Sequence, residues 1–439
     1  MRDWRTEPLE RVAEIRSSNV DKKSNPGEEP VRLCNYTDVY SRGYITEDIE
    51  FMEATATPAE IQRFGIERGD VMITKDSETP DDIGIPAVVV DDVPKLVCGY
   101  HVALIKPNRD KVDPVYLAKQ LGLPGTARYY GRLANGSTRY GLSYQSISRT
   151  PIRLAPLPQQ HRIAEILSTV DEAIEQTEAL LAKTQQIKAG LMHDLFTRGV
   201  TADGQLRPPR EEAPQLYKES PLGWIPKEWD VTPCGEVFDV QLGKMMSPTA
   251  SAGPNQKPYL RNQNVYWDRF DLSDVATMHF STDDEQKYRL KDGDLLACEG
   301  RFIGRCAVWR GELDECYYQK ALHRLRATDP RVTTDYMQFF MSLRFELDRG
   351  FVEKMTHEST IPHLPLEKLV ALPVLVPPRA EQEYLVCTLG ALTHRDRIDR
   401  AYLHKAKELK AALMGDLLSG RVVVEKGILP NELEVAANV

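Results

Sequence analysis

Residues 136–198 can be laid on residues 358–420 without a gap, and both stretches then pass through the same events. Ser137 and Thr138 meet Ser359 and Thr360, Leu142 meets Leu364, Pro156 meets Pro378, and Gln160 meets Gln382. The register holds through Leu167 with Leu389, Leu181 with Leu403 and Lys188 with Lys410. It ends where Leu191, Met192, Asp194 and Leu195 meet Leu413, Met414, Asp416 and Leu417. Two unrelated helices can share apolar positions, but not also a serine-threonine pair, a proline and a closing segment. Upstream the agreement is looser yet ordered: RLCNYTDVY at 32–40 with LRNQNVYW at 260–267, GIERGDVMI at 65–73 with YRLKDGDLLA at 288–297, and LVCGYHVALIKP at 96–107 with YYQKALHRLRA at 317–327. Segments of helical character around Tyr116 and Tyr336 follow. A repeat at this period decides the architecture before single elements are assigned. The chain is two copies of a unit of roughly 200 residues, a common domain size.

Within each copy two patterns alternate. The first part is rich in short, β-branched, turn-bounded segments such as 70–74, 87–90 and 101–105, which read as strands. The second part predicts one long helix. Over 161–196, Ile163, Leu167, Val170, Ile174, Leu181, Ile187, Leu191 and Leu195 recur mostly at three- and four-residue spacing, with prolines at 151, 156 and 158 before them and Gly199 and Gly204 after. Over 381–418 the stripe is Leu385, Leu389, Leu392, Ile398, Tyr402, Leu409 and Leu413, between Pro377-Pro378 and Gly420. A helix of about 36 residues extends roughly 54 Å, and alone it would leave its apolar stripe wet. Two such helices, each closing a repeat, most simply pack on each other as a coiled coil. Thr177, Thr184, Asp396 and Asp399 fall near the seam and mark places for another subunit to pack.

The length of 439 residues suits two to four domains, and 41% apolar residues suffice for sizeable cores. A net charge of -9 argues against continuous wrapping in nucleic acid. Charge is uneven, however: residues 128–153 hold Arg128, Arg132, Arg139, Arg149 and Arg153 among Tyr129, Tyr130, Tyr140 and Tyr144, with no acidic residue. That stretch is either a contact surface or a solvated face with some buried tyrosines. The seven cysteines are single and irregular, which fits a reducing compartment. Cys98 and His101 stand three apart, but no second ligand pair is near, and ordinary strand residues are the simpler reading. The opening MRDWRTEPLE has no apolar signal region, and no apolar run could span a bilayer, so the expected location is cytoplasmic, with no membrane partner.

Two recognition modules fixed to paired helices have the geometry needed to read two half-sites on one duplex. Because the copies are joined covalently, they can diverge and read an asymmetric site. The modules have diverged here, while the helices and their flanks have not.

At this point the chain resembles the specificity (S) subunits of type I restriction-modification systems, over essentially its whole length. The most specific piece is YKESPLGWIPKEWDV at 217–231, which is similar to the opening of a target recognition domain in that family through Gly223, Ile225, Pro226 and Trp229. Next come the proline-then-Glu-Gln helix start, Glu381-Gln382 in the second copy and Gln159-Gln160 in the first, and the helix exits GLMHDLFTRG and ALMGDLLSG. The first copy departs at its start, where MRDWRTEPLERVAEI keeps Trp4, Leu9 and Ile15 but lacks the Gly-x-Ile-Pro phrase.

The resemblance implies an α+β chain: two α/β target recognition domains separated by two long helices in an antiparallel coiled coil, a pseudo-twofold internal repeat. The expected segments are 1–158, first recognition domain; 159–198, first spacer helix; 199–220, linker; 221–380, second recognition domain; 381–419, second spacer helix; and 420–439, C-terminal tail. It further implies a subunit without catalysis or bound cofactor, which directs two methyltransferase (M) subunits to a bipartite double-stranded DNA target. Those partners use S-adenosylmethionine to methylate adenine N6. It leaves open two restriction (R) subunits, motor-nucleases that use ATP and Mg2+.

Base edges are read by Arg, Lys, Asn and Gln, and phosphates are held by cations, hydroxyls and amides. In the first module the candidates are Lys75, Arg128, Tyr129, Arg132, Asn135, Ser137 and Arg139, in loop-like sequence rich in Gly125, Gly131 and Gly136. In the second they are Lys244, Arg261, Asn262, Gln263, Asn264, Arg301, Arg305, His357 and Thr360, with GRFIGR at 300–305 setting two arginines around a tight turn. The repeated Ser137-Thr138 and Ser359-Thr360 can instead shape the chain before the last strand. Trp224 and Trp229 are expected to pin the linker to the second module, and Tyr317-Tyr318 to straddle a strand with one ring inside and one outside.

No phosphate-binding loop, zinc-protease helix or nucleophile elbow occurs. No Asn/Asp-Pro-Pro-Tyr/Phe motif of an adenine methyltransferase is present either, and Val376-Pro377-Pro378-Arg379 lacks both flanks. The acidic groups Asp81-Asp82 and Asp283-Asp284-Glu285 read as solvated turns. Two alternatives stay open: the specificity subunit of a related system that cuts on both sides of its site, and a scaffold whose two modules bind protein.

Overall fold

The computed structural model describes residues 4–355 and 363–422. They form two compact units, Met1–Ala179 with Arg400–Val439, and Leu180–Asp399. Each long helix passes from one unit into the other: the first is Leu157–Thr197, the second Arg379–Leu417. The first begins earlier than its apolar stripe suggests, with Pro158 inside its first turn. There the missing N–H costs nothing, because that donor has no intrahelical partner.

In the first unit a five-stranded sheet has the order Ala13–Ser17, Val102–Pro107, Val71–Thr74, Pro86–Val89 and Tyr44–Ile45; only the last pair is parallel. Alternate residues serve two cores. Ile15, Val71, Ile73, Val88, Ala103 and Ile105 face Tyr116, Leu117, Ile163 and Leu167, while Met72, Ala87, Val89, Val102 and Leu104 face a three-stranded sheet of Glu29–Cys34, Met52–Ala56 and Leu96–Cys98. The second unit repeats the plan. A four-stranded antiparallel sheet, Phe238–Leu242, Leu322–Ala327, Leu295–Cys298 and Cys306–Val308, packs Leu295, Ala297 and Leu325 on the helices, and Leu296, Cys298 and Leu322 beneath the other layer. In that layer both Tyr317 and Tyr318 are buried. Tyr317 stacks on Phe280 at 4.3 Å and Tyr318 joins Leu260 and Trp309, so the strand is covered on both faces and the expected inside-outside alternation does not hold.

One packing device recurs with different parts. Gly84 (φ +77°) and Gly304 (φ +73°) occupy matching places, and each has an aromatic ring where a Cβ would stand: Tyr130 in the first unit, Phe345 in the second. Positive φ and the missing side chain are both required there.

The starts of the long helices repeat bond for bond. The buried Gln160 amide donates to Ala155 O (2.7 Å) and Lys111 O (3.2 Å) and accepts from Asp113 N (3.0 Å). Gln382 donates to Pro377 O (2.8 Å) and Arg331 O (2.6 Å) and accepts from Thr333 N (3.3 Å). A buried amide that saturates three backbone groups explains why this glutamine survives in both copies.

Within each unit the two long helices run antiparallel. In the first, Val170 and Ile174 pack with Leu403, Ala406 and Leu413, and the ion pairs Asp171–Lys410 and Glu178–Lys407 rise along one helix as they fall along the other. In the second, Met192, Leu195 and Phe196 share a core with Leu385 and Leu389. Ile187, Ile398 and Leu409, expected in the apolar stripes, are exposed. Thr177, Thr184 and Asp399, expected as gaps in the seam, are buried.

The signature tryptophan closes the second unit. Trp229 is fully buried, and its indole N–H donates to Glu381 Oε2 at 2.9 Å. Glu381 Oε1 accepts from Val200 N and from Arg207 Nη1, both at 2.6 Å. Trp224 is exposed under the Arg210 guanidinium (4.8 Å), so the two tryptophans hold different parts of the linker. In the first unit Trp4 takes the corresponding place: a Cβ on Gly420 would meet its ring at 3.3 Å, as one on Gly199 would meet Trp229 at 2.6 Å. The Gly-x-Ile-Pro phrase is absent from the first copy, but its tryptophan contact is present.

Candidate nucleic-acid interface

In the first module Arg128, Tyr129 and Arg132 lie on the helix Pro124–Leu133, not in a loop. Pro124 starts it, and Tyr130 anchors it by accepting a hydrogen bond from Thr150 Oγ1 at 2.9 Å. Arg128 and Arg132 are one turn apart and exposed, while Tyr129 is half-buried. Asn135, Ser137 and Arg139 are exposed on a turn closed by Asn135 N–Gly141 O (3.0 Å) and Gly141 N–Asn135 O (2.9 Å). Lys75 is half-buried and donates to Ser18 O at 3.2 Å. Tyr140–Gly141 pairs with Asp76–Ser77, which brings the Lys75 strand exit beside the turn that carries Arg139.

The second module spends more of its candidates internally. Lys244 Nζ donates to Asp284 Oδ2 (2.7 Å) and His279 O (2.6 Å) and lies over the Phe280 ring at 4.9 Å. Burial pushes the Asp284 carboxyl up, but bonds from Lys244 and Ser281 outweigh it and hold that carboxyl below its ordinary value. Arg261 pairs with Asp274 at 2.9 Å, and Gln263 donates to the same carboxylate at 3.2 Å. Asn264 is buried: its Oδ1 accepts from Arg261 N and its amide donates to the carbonyls of Asp271 and Asp274, all at 2.9 Å. That asparagine shapes the loop rather than facing solvent.

Arg305 Nη2 donates to Asn262 O at 3.0 Å and stacks on Phe302 at 3.7 Å, which joins the 261–264 loop to the 300–305 turn. Arg301, at φ +57°, is exposed at the tip of that turn. The candidates His357 and Thr360, with Ser359, lie outside the described residues. Among the described residues no group of three metal-ligating side chains occurs. Burial pushes the Cys98 thiol up to about 12, and His101 is bonded to Asp76.

The aromatic residues around this first-module turn, Tyr36, Tyr40 and Tyr100, were not legible as candidates, since they come from separate segments. No helix among the described residues is long and apolar enough to cross a membrane.

A family model described as the type I restriction modification DNA specificity domain matches residues 1–186 and 226–406. The chain belongs to this family. One relative agrees over nearly the full length: a protein assigned as the MjaX type I restriction enzyme specificity subunit of Methanocaldococcus jannaschii is 21% identical over 438 residues, covering 96% of this chain and 94% of that one. The MjaVIII specificity subunit of the same organism is 25% identical over 282 residues, covering 62% of each. In fold, the chain is similar to the crystal structure of a type I restriction-modification S subunit from M. genitalium, with TM-score 0.60, 12% identity and 97% of both chains covered. As a specificity subunit it recognises a DNA target sequence and acts with modification and restriction subunits. Its role is recognition rather than catalysis, and no cofactor is expected on this chain.

Proposed function

We propose that the chain reads a two-part DNA sequence, one half-site per module, and presents it to two methyltransferase subunits that transfer a methyl group from S-adenosylmethionine to adenine N6. The observation that supports this is the repeat itself: the framework bonds of Gln160 recur at Gln382, whereas the exposed cations and amides around them do not recur. A frame kept twice with its faces changed is what an asymmetric two-part target requires. In the first module Arg128, Arg132 and Arg139 are exposed for phosphates or base edges; in the second, Arg301 has that role, with Asn262, Gln263 and Arg305 behind it. Exposed Leu180, Ile187, Ile398 and Leu409 on the long helices offer apolar surface to the methyltransferases. Two restriction subunits, using ATP and Mg2+, would join the same cytoplasmic assembly.

Methylome sequencing of cells that express the chain with its methyltransferase tests the reading. The expected result is one motif of two short parts at a fixed spacing. Exchange of residues 10–150 for those of a relative should then alter one part only, which also assigns that half-site to the first module. Absence of a two-part motif, or a swap that leaves both parts as they were, would refute it.

A further inference from the structure

One cleft lies where the two modules keep their backbone and change their chemistry. In the first unit Val71–Thr74 leads into Asp76–Ser77, which pairs antiparallel with Tyr140–Gly141. In the second, Leu295–Cys298 leads to Gly300, which bridges antiparallel to His363, the residue that the repeat places on Gly141. The central strands Val102–Pro107 and Leu322–Ala327 open correspondingly at His101 and Ala321. Asp76 and His101 therefore stand where the second copy has Gly300 and Ala321.

His101 Nδ1 is 2.7 Å from Asp76 Oδ2, and because a carboxylate accepts, Nδ1 donates. That fixes the ring and leaves Nε2 for another group. The ring lies against Tyr100 at 3.7 Å between centroids. Both residues line a cleft of about 520 Å3 with Tyr36, Tyr40 and Arg139. Tyr36 and Tyr40 are stacked, 5.3 Å apart and 17° from parallel, and Tyr40 donates to Asp82 at 2.8 Å. The helix that carries Arg128 and Arg132 packs through Gly131 on Pro80 and Asp81, beside the rim formed by Thr79 and Asp82.

The cleft carries Asp76, Glu78 and Asp82 against Lys22 and Arg139, a net negative lining that disfavours a phosphate inside it. Phosphates fit the arginines on the neighbouring helix instead. The guanidinium of Arg139 is a common reader of base edges, and the free ring nitrogen of an oriented imidazole can hydrogen-bond a base edge in the same way.

We infer that this cleft is where the first module reads its half-site, with His101 Nε2 meeting a major-groove base edge and Asp76 as the positioning residue that aims it. This rests on the reading of that module as a half-site reader. The test uses the complex of full chain and methyltransferase, with the motif of the unaltered protein defined first by methylome sequencing. Binding is then compared between a cognate duplex and one altered in the half-site that the 10–150 swap assigns to the first module. For His101→Ala, His101→Gln and Asp76→Asn the ratio of these affinities should fall about tenfold. The ratio against a duplex altered in the other half-site should stay as it was.

Because the readout is a ratio, a general loss of affinity or of folded protein leaves it unmoved. An unmoved first ratio, or two ratios that fall together, overturns the inference while the half-site reading stands. A native complex with no two-part motif overturns that reading, and this inference with it.

Discussion

The second unit closes the start of its long helix on a charge, whereas the first has a neutral amide, Gln159, at the matching position. Glu381 takes hydrogen bonds from Trp229, Val200 and Arg207; Gln159, which the repeat places on it, is half-buried at the same kind of helix start. The first unit places its buried charge further along the helix. Asp171 accepts from Tyr44 at 2.8 Å and from Lys119, and forms an ion pair with Lys410 at 2.6 Å. In the second copy the residue that the repeat sets on Asp171 is Thr393. Each unit thus ties its module to the helix pair with one buried carboxylate, but at a different height. A frame of paired helices in matching register tolerates this because what must be kept is a saturated set of polar groups, not a particular residue.

The largest effect should come from Glu381→Ala. It leaves Arg207 buried with only the more exposed Glu228 as an ionic partner, and strips two N–H donors of their acceptor. Removal of one side of a buried pair costs about 3–5 kcal/mol. Gln159→Ala should cost under about 0.5 kcal/mol, as a change away from any such network. Chemical denaturation of both variants checks the contrast, and similar losses would show that both helix starts are equivalent after all.

Next in size is Asp171→Asn, which keeps the shape and removes the charge between Lys119 and Lys410; we expect about 2–3 kcal/mol at neutral pH. Burial pushes the Asp171 carboxyl up, but the two ammonium groups outweigh burial and hold it below its ordinary value. Lys119 is itself drawn down by burial, whereas Asp171 has two cations sharing its one carboxylate. A carboxyl lowered by folding stabilises fully above its unfolded value, about 4, and that stabilisation is lost as pH falls through the folded value. The stability gap between wild type and Asp171→Asn should therefore close below about pH 4. A gap that stays constant from pH 7 to acid would remove the charge from the account.

The same comparison shows what the sequence could reveal. The repeat, the long helices and the alternating strands were legible, because their signals are periodic and stated twice. Gln160 and Gln382 were visible as a matched pair, though not as three-bond anchors. The helix of Arg128 and Arg132 reads as a loop in sequence because Gly125 and Gly131 punctuate it; the packing of Tyr130 on Gly84 outweighs that local preference. Asn264 looks like a base reader by residue type, but its amide is used by the turn around it. The cleft of His101 was hidden for a different reason: Tyr36, Asp76, His101 and Arg139 come from four segments that only the sheet order brings together.

At Thr393 the expected effect is small again, and its sign is what matters. Its Oγ1 is buried with no hydrogen-bond partner among the described residues. A buried hydroxyl without a partner costs about 1–3 kcal/mol of desolvation. Valine has nearly the same shape and no such group, so Thr393→Val should be neutral or stabilise by up to about 1 kcal/mol. The reverse holds at the matching place, where Asp171→Val would leave Lys119 and Lys410 without their shared carboxylate. If Thr393→Val instead destabilised the chain by as much as a broken hydrogen bond, Oγ1 would have a partner after all. The two copies would then each hold a saturated polar group at this height, and the contrast between them would reduce to one of charge alone.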